Sequence, residues 1–518
     1  MSQDFKEKAR FCLYFVVIVS VSLAVFYPSF QHTFRSDQIV YFANTRAKSE
    51  LIPLCKDYYA YPQVRYYFPG DAFLFRPLTF VLLGFEKAAF GMHYAYWHLF
   101  SFVLHMLTVF FLFRILYDIR AGIFAFLFSL LYACLYANME AVIWEHISGY
   151  VLFNVLVLGG FFYFKRSFEG GRRNDLAIVL FFLLTCSFLH EWGNLFCILF
   201  GICFYFKNKQ AGRIQDNWKV GLFFIPLVVY ALAYFWVMGN YWAGHSAFDL
   251  KVTPFVYLWH VIGLVPQYFC QLLINGLFPS LLAGKITGMS RLSFDHKSVF
   301  SPWFLFNLTA VMGMVFFIIG GFSKDVVKHN RSFLFLLAGI MSCQIISMPL
   351  IRLLTHGEKY ILQDSSYYGY FFWSFALVAV YMLVDWPSLE LSGNKVLKTG
   401  RIMSMAALIL LNAGSTWEMN QVIKEGRWAW QQYIDKLNRL VELHGKEKDF
   451  SFFIRNDVQI DLAYRLKGSK RPAMDKLNLA SIFYFPYYND RSPKYIFLLG
   501  EDDYLHPLLA QERFNGRQ

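Results

Sequence analysis

Residues 94–120 read YAYWHLFSFVLHMLTVFFLFRILYDIR. Between Tyr94 and Phe113 the run is interrupted only by His98, Ser101, His105 and Thr108, and it closes on Arg114, Asp118 and Arg120. A helix needs roughly 20 such residues to cross a hydrocarbon core about 30 Å thick. No water reaches that core to pair with backbone N–H and C=O groups, so the segment must satisfy them internally as a helix. Comparable runs recur outward in both directions, from residue 11 to about residue 418.

The composition agrees. Of 518 residues, 57% are hydrophobic, 20% aromatic and only 16% charged, which is too apolar for a soluble domain of this size. The net charge of +13 gathers at the ends of apolar runs and forms no basic stripe or nucleic-acid module, so membrane lipids rather than nucleic acid are the expected partners. The first run, 11–30, follows Lys6, Lys8 and Arg10 and ends Tyr27-Pro28-Ser29-Phe30, without small residues for cleavage; it reads as a retained anchor. The eight cysteines show no CxxC pair or zinc spacing. Cys55 and Cys270 are the one pair placed to meet outside the membrane, with spacing alone to support a disulfide.

Positive residues mark the cytoplasmic ends of membrane helices. By that rule the N-terminus lies inside and the first helix delivers a first outer loop, 31–93. The run 72–92 opens with Arg76-Pro77 and carries Glu86-Lys87, so it reads as an interfacial helix rather than a span. Helices at 94–117 and from 121 to about 138 follow, then 147–164, which descends to Lys165, Arg166, Arg172 and Arg173. The stretch 175–206 is interrupted by His190-Glu191-Trp192-Gly193, predicting a hairpin with that tetrapeptide at its outer turn. A helix at 219–238 leads into a large outer loop, 239–300, in which 255–279 lies along the interface or re-enters. Helices at 301–322, 332–354, 366–386 and 401–418 bring the count to about eleven. A soluble segment, 419–518, follows outside; it opens with an amphipathic helix and contains strands near 451–454 and 495–499, giving a small α/β domain. The expected architecture is therefore an α-helical polytopic membrane domain, 1–418, with a C-terminal extracytoplasmic domain, 419–518.

The outer loops hold the candidate polar groups: Asp37, Asp57, Asp71, Arg76, Glu140, Glu145, His146, His190, Glu191, His356, Glu358 and Lys359. Taken singly, each reads best as a solvated or ion-paired loop residue. His190-Glu191 differs, because apolar sequence on both sides draws it to the membrane boundary, where an unpaired charge is expensive and a partner is required. His98 and His105 share a helix face seven residues apart, but no carboxylate on that helix has matching spacing, so packing or headgroup contact is favoured over ligation. No HExxH, P-loop, GxSxG or EF-hand pattern occurs.

The order of features resembles the GT-C superfamily of membrane glycosyltransferases, particularly the protein O-mannosyltransferases and their tetratricopeptide-bearing relatives. Phe34-Arg35-Ser36-Asp37-Gln38 is similar to that family's acidic motif in the first outer loop, and Phe75-Arg76-Pro77-Leu78 to its aromatic-Arg-Pro-Leu motif. Phe90-Gly91, Trp97-His98-Leu99 and Leu104-His105 resemble the following stretch. Glu140-Ala141-Val142-Ile143-Trp144 with Ile147-Ser148-Gly149 resembles the second outer loop, and Glu358-Lys359-Tyr360, before the aromatic run 367–373, a late loop with Glu-Arg-Tyr. The chain departs from the pattern in having one Asp where two are usual, no His-Pro before Glu140, and Lys359 in place of Arg.

This resemblance implies transfer of a sugar from a polyprenyl-phosphate donor to a glycan, lipid or protein acceptor outside the membrane. It implies Asp37 as general base, Glu140 as an orienting group, and Arg76 and Lys359 as donors to the leaving phosphate, with Glu145, His146, His190, Glu191 and Glu358 in support. No cofactor is required; a divalent metal among Asp37, Glu145, His146, His190 and Glu191 is the alternative, for which no spacing fixes a geometry. The rival functions are a transporter or flippase of a lipid-linked sugar, which calls for midplane polar groups and paired broken helices, and a polysaccharide polymerase or ligase using the 239–300 loop. The outer loops lack an Asn-X-Ser/Thr acceptor, which favours a bacterial cytoplasmic membrane.

Overall fold

The apolar runs form helices. The structure, a computed structural model, describes residues 3–32, 75–90, 93–144, 147–169, 174–238, 324–356, 366–384, 395–444, 450–454, 495–499 and 505–507, with five further residues between 265 and 273. The helices are α1 (Gln3–Phe26), α2 (Pro77–Phe90), α3 (Tyr94–Ile119), α4 (Ile123–Cys134), α5 (Met139–Ile143), α6 (Ser148–Phe168), α7 (Asn174–Leu189), α8 (Trp192–Gln210), α9 (Ile225–Met238), α10 (Lys324–His356), α11 (Ser366–Leu383) and α12 (Lys395–His444). Among the described residues, six helical stretches are long and apolar enough to cross a membrane, or seven if the bent pair of α4 and the segment after it is one span. The chain is thus an α-helical, multi-pass membrane protein. The expected helix at 301–322 lies outside the described residues, while α7 and the apolar part of α11 are shorter apolar helices.

Side-chain contacts sort the helix ends into two groups. At one end the His32 ring, past α1, meets His98 of α3 at 5.6 Å. Nearby elements at that end are linked by Tyr150 of α6 against His190 (5.9 Å) and by Trp192 Nε1 donating to Ser347 Oγ of α10 (2.8 Å). At the other end Tyr117 donates to the Glu7 carbonyl, Arg166 pairs with Asp175 at 3.1 Å, Tyr381 donates to the Arg120 carbonyl, and Lys207 lies 4.2 Å over the Phe333 ring. Lys165, Arg166, Lys207, Lys209 and Arg213 gather at this second end. Both α9 and α10 run from the cationic end towards the other, so the chain between Met238 and Lys324 begins at one end of the bundle and finishes at the opposite one.

Aromatic side chains fill the interior. Phe153, Phe196 and Phe371 from α6, α8 and α11 stack about one another, with ring centroids 5.5–5.6 Å apart. Outward faces are apolar and exposed, as on α1 (Leu13, Val16) and α9 (Val228, Leu232, Phe235). That is the distribution hydrocarbon rather than water demands.

Three features depart from the sequence expectation. The helix expected from 121 to about 138 breaks at Leu135, where ψ is 127°, and bends by 49° before continuing as a 3-10 turn (Tyr136–Asn138) and α5. The span at 219–238 begins as a 3-10 helix, Ile214–Phe224, and becomes α-helical just before Pro226. Proline lacks an N–H and clashes with the carbonyl four residues back, which disfavours an α-helical turn ahead of it. Finally, α12 runs unbroken through residue 419 to His444, so the expected domain boundary there coincides with no helix end.

Beyond α12, three short strands form a sheet in the order β1 (Phe450–Ile454), β2 (Tyr495–Leu499), β3 (Leu505–Pro507). The β1–β2 pair is parallel, Phe452 opposite Phe497, and β2–β3 is antiparallel, Leu498 opposite His506. From the 255–279 stretch, the Leu272 carbonyl accepts from Trp373 Nε1 at 3.1 Å and Phe269 meets Phe372 at 6.0 Å, so these residues lie against the first turns of α11.

Candidate functional site

The sequence Phe75-Arg76-Pro77-Leu78 builds a corner. Pro77 is the first residue of α2, where its missing N–H costs nothing because that donor has no partner within the helix. The Phe75 ring is buried among Phe188, Tyr230 and Tyr234, and the Tyr230 hydroxyl donates to the Phe75 carbonyl at 3.2 Å. One turn on, Thr79 donates to the Leu189 carbonyl at the end of α7 (3.0 Å). Close approach of α6 here requires glycine: a Cβ on Gly149 would lie 2.7 Å from Thr79 Oγ1.

Held on both sides, Arg76 reaches the turn between α7 and α8. Its Nε and Nη2 donate to Glu191 Oε1 and Oε2, both at 2.8 Å, the two-pronged geometry that makes arginine–carboxylate pairs strong. Glu191 Oε2 also lies 3.0 Å from His190 Nδ1. The hydrogen bond at that nitrogen comes from the Trp192 amide, which donates to it at 3.3 Å. The His190 ring packs against Trp192 (4.5 Å), Phe153 and Tyr150. Burial lowers its pKa to about 3, with the Arg76 charge acting the same way and Glu191 opposing, so the ring is neutral at pH 7. For Glu191, burial pushes the carboxyl up, but Arg76 and His190 outweigh it and bring it down to about 2. The turn needs its glycine too: a Cβ on Gly193 would sit 2.4 Å from the Cys186 carbonyl carbon and the Ser187 amide nitrogen.

A second constellation surrounds the α4 break. The Ala133 carbonyl accepts from His105 Nε2 at 3.0 Å, and His105 Nδ1 lies 3.1 Å from the Tyr370 hydroxyl, which donates to Thr108 Oγ1 at 2.9 Å. Asn138 Nδ2 donates to the Tyr132 carbonyl (2.6 Å), Thr416 Oγ1 to the Cys134 carbonyl (3.2 Å), and Asn412 Oδ1 accepts from the Tyr136 amide (3.2 Å). The Tyr132 hydroxyl donates to the Tyr370 carbonyl and accepts from Asn154, whose other amide atom takes the Ser374 hydroxyl. The broken helix is thus satisfied by side chains from α3, α12 and its own next turn, as a non-helical backbone inside a membrane must be. Beyond it stands α5, with Glu140 half-buried.

Of the sequence-derived candidates, the structure joins Arg76, His190 and Glu191 in one cluster and places Glu140 on a neighbouring element at the same end of the bundle. Asp37, Glu145, His146, Glu358 and Lys359 lie outside the described residues, as do Cys55 and Cys270. His98 and His105 diverge, one ring against His32 and the other bonded to Ala133 and Tyr370. Of the five residues weighed as metal ligands only His190 and Glu191 are described, and both are engaged with Arg76 or each other; among the described residues, no three His, Cys, Asp or Glu side chains converge on a cation site. Sequence reasoning missed Asn412, Thr416 and Asn420, although polar residues four apart on an apolar helix were signal enough. Compared with known proteins, the chain matches no family model and no curated protein.

Proposed function

We propose that this chain is a glycosyltransferase of the GT-C type, moving a sugar from a polyprenyl-phosphate donor to a glycan, lipid or protein acceptor on the extracytoplasmic side of a bacterial cytoplasmic membrane. What carries the reading is one juxtaposition. The Phe75-Arg76-Pro77 corner meets the His190-Glu191 turn at the end of the bundle remote from the cationic cluster. Under the charge rule for membrane helices, the cationic end is cytoplasmic and the Arg76 end is outside. Residues 33–74, which contain Asp37, depart from α1 at that same end.

In this reading Asp37 accepts the proton of the acceptor hydroxyl as its oxygen attacks the anomeric carbon. The bond from that carbon to the phosphate oxygen breaks, and the polyprenyl phosphate leaves with the negative charge. Lys359 takes the larger share of that charge, because the Glu191 carboxylate already partly neutralises Arg76 and fixes its guanidinium plane. Glu140 orients the acceptor. A transporter fits less well: the carbonyls freed by the α4 break, which in transporters face ion or substrate, are here bonded to His105, Asn138 and Thr416.

The test is turnover of a purified polyprenyl-phosphate-linked sugar by the reconstituted chain. Asp37→Asn abolishes transfer while leaving insertion and thermal stability intact; normal turnover by that variant would remove Asp37 as the base.

A further inference from the structure

Three polar side chains on α12, Asn412, Thr416 and Asn420, follow one another at intervals of four residues on one face of a helix apolar enough to cross a membrane, and all are fully buried. Leucine or alanine would pack such a face without the desolvation cost these side chains carry in a membrane. Each instead bonds to backbone at or beside the end of another helix. Asn412, its amide oriented by donation to the Leu408 carbonyl (3.0 Å), accepts from the Tyr136 amide just past the α4 break. Thr416 donates to the Cys134 carbonyl just before it. Asn420 Nδ2 donates to the Val25 carbonyl in the last turn of α1 (3.4 Å), and the Asn420 carbonyl accepts from His32 Nε2 (2.8 Å). Carbonyls in a last helical turn have no partner in their own helix, so the stripe meets a need at two separate helix ends.

We propose that Asn412, Thr416 and Asn420 are positioning residues: they set, from one helix, the backbone on which the Glu140 segment stands and the point where α1 exits towards residue 33. The roles of Glu140 and Asp37 rest on the glycosyltransferase reading, but the coupling of α12 to the two helix ends does not. Three residues separate Tyr136 from Glu140, so a shift at the break is carried directly into α5. Because α12 continues unbroken to His444, rotation or sliding of its distal half changes the register of both helix ends together.

The experiment reads geometry and needs no substrate. Glu140→Cys and, at the cationic end, Ala211→Cys are introduced together, and modification by a small cationic methanethiosulfonate reagent is followed at each site by peptide mass spectrometry. Thr416→Val removes the hydroxyl at nearly constant volume and raises the rate at position 140 about fivefold or more, as loss of a buried hydrogen bond allows α5 to open. Asn412→Leu does the same, Thr416→Ser stays within about twofold of the parent, and position 211 is unmoved throughout. If Thr416→Val does not accumulate, Thr416→Ala replaces it. The proposal falls if the rate at 140 is unchanged, if 211 rises with it, or if Thr416→Ser behaves like Thr416→Val. Absence of sugar transfer in the parent would overturn the enzymatic reading and leave these rates as they are.

Discussion

Arg76 and Glu191, separated by 115 positions in sequence, are joined by two parallel hydrogen bonds of 2.8 Å. The pair ties the start of α2 to the turn between α7 and α8. Removing one partner of a buried pair typically costs about 3–5 kcal/mol. Here both side chains retain a little over a quarter of their exposure, 29% and 28%, so solvent screening reduces the expected loss for Arg76→Gln to about 2–3 kcal/mol. The double variant Arg76→Gln/Glu191→Gln recovers most of it, since no charge is then left alone. Thermal unfolding in detergent, analysed as a double-mutant cycle, checks this; simple additivity would mean that the two residues do not support one another.

Acid weakens the same corner through two groups in the turn, outside both helices. His190 is lowered from 6.5 to about 3, so between those values the unfolded chain takes up a proton that the folded chain refuses, and stability rises with pH. Glu191 is lowered from 4.5 to about 2; its contribution is complete above 4.5 and is lost as pH falls towards 2. The unfolding temperature therefore declines on acidification below pH 6.5 and more steeply below 4.5. His190→Gln flattens the upper part of the curve, and Glu191→Gln the lower part. Unaltered slopes in both variants would place the acid sensitivity elsewhere.

Gly193 and Gly160 offer a paired comparison of two glycines in the same bundle. A Cβ at 193 meets backbone of α7 at 2.4 Å, which no rotamer change relieves, whereas at 160 the nearest atom is the Phe182 Cβ at 4.0 Å, ordinary contact distance. Gly193→Ala is expected to cost about 3 kcal/mol or more and to lower the yield of folded protein in detergent. Gly160→Ala, in the interior of α6, is neutral or stabilising by up to about 1 kcal/mol through reduced freedom of the unfolded chain. Equal tolerance of both changes, measured by thermal unfolding, would show that the hairpin turn relaxes freely.

The membrane helices were legible because run length and terminal charge are local properties. The hairpin at His190-Glu191 was legible for the same reason: a charged pair cannot sit inside an apolar run without cause. Its partner was not, because nothing in the spacing connects Arg76 to a carboxylate in a distant turn. The break at Leu135 was hidden more deeply, since Tyr132-Ala133-Cys134-Leu135-Tyr136 contains neither Gly nor Pro. Its cause is tertiary: His105, Asn412 and Thr416 supply the hydrogen bonds that make leaving the helix affordable. The change of composition near residue 419 falls inside α12, and a helix need not end where its composition changes.

Orientation can be tested without knowing the reaction. Lys165, Arg166, Lys207, Lys209 and Arg213 share one end of the bundle, and Ala211 stands exposed among them between α8 and the 3-10 helix. If that end faces the cytoplasm, a cysteine at 211 is protected from an impermeant thiol reagent in intact cells and reacts only after the membrane is opened. In that orientation Ala60→Cys, in the expected first outer loop, and Ile460→Cys, in the C-terminal segment, react from outside without permeabilisation. Two spans joined by short connections cannot be inverted independently, so the sites should respond as a set. Labelling of 211 with protection of 60 and 460 would invert the protein and move the Arg76 corner, with its proposed sugar transfer, to the cytoplasmic face.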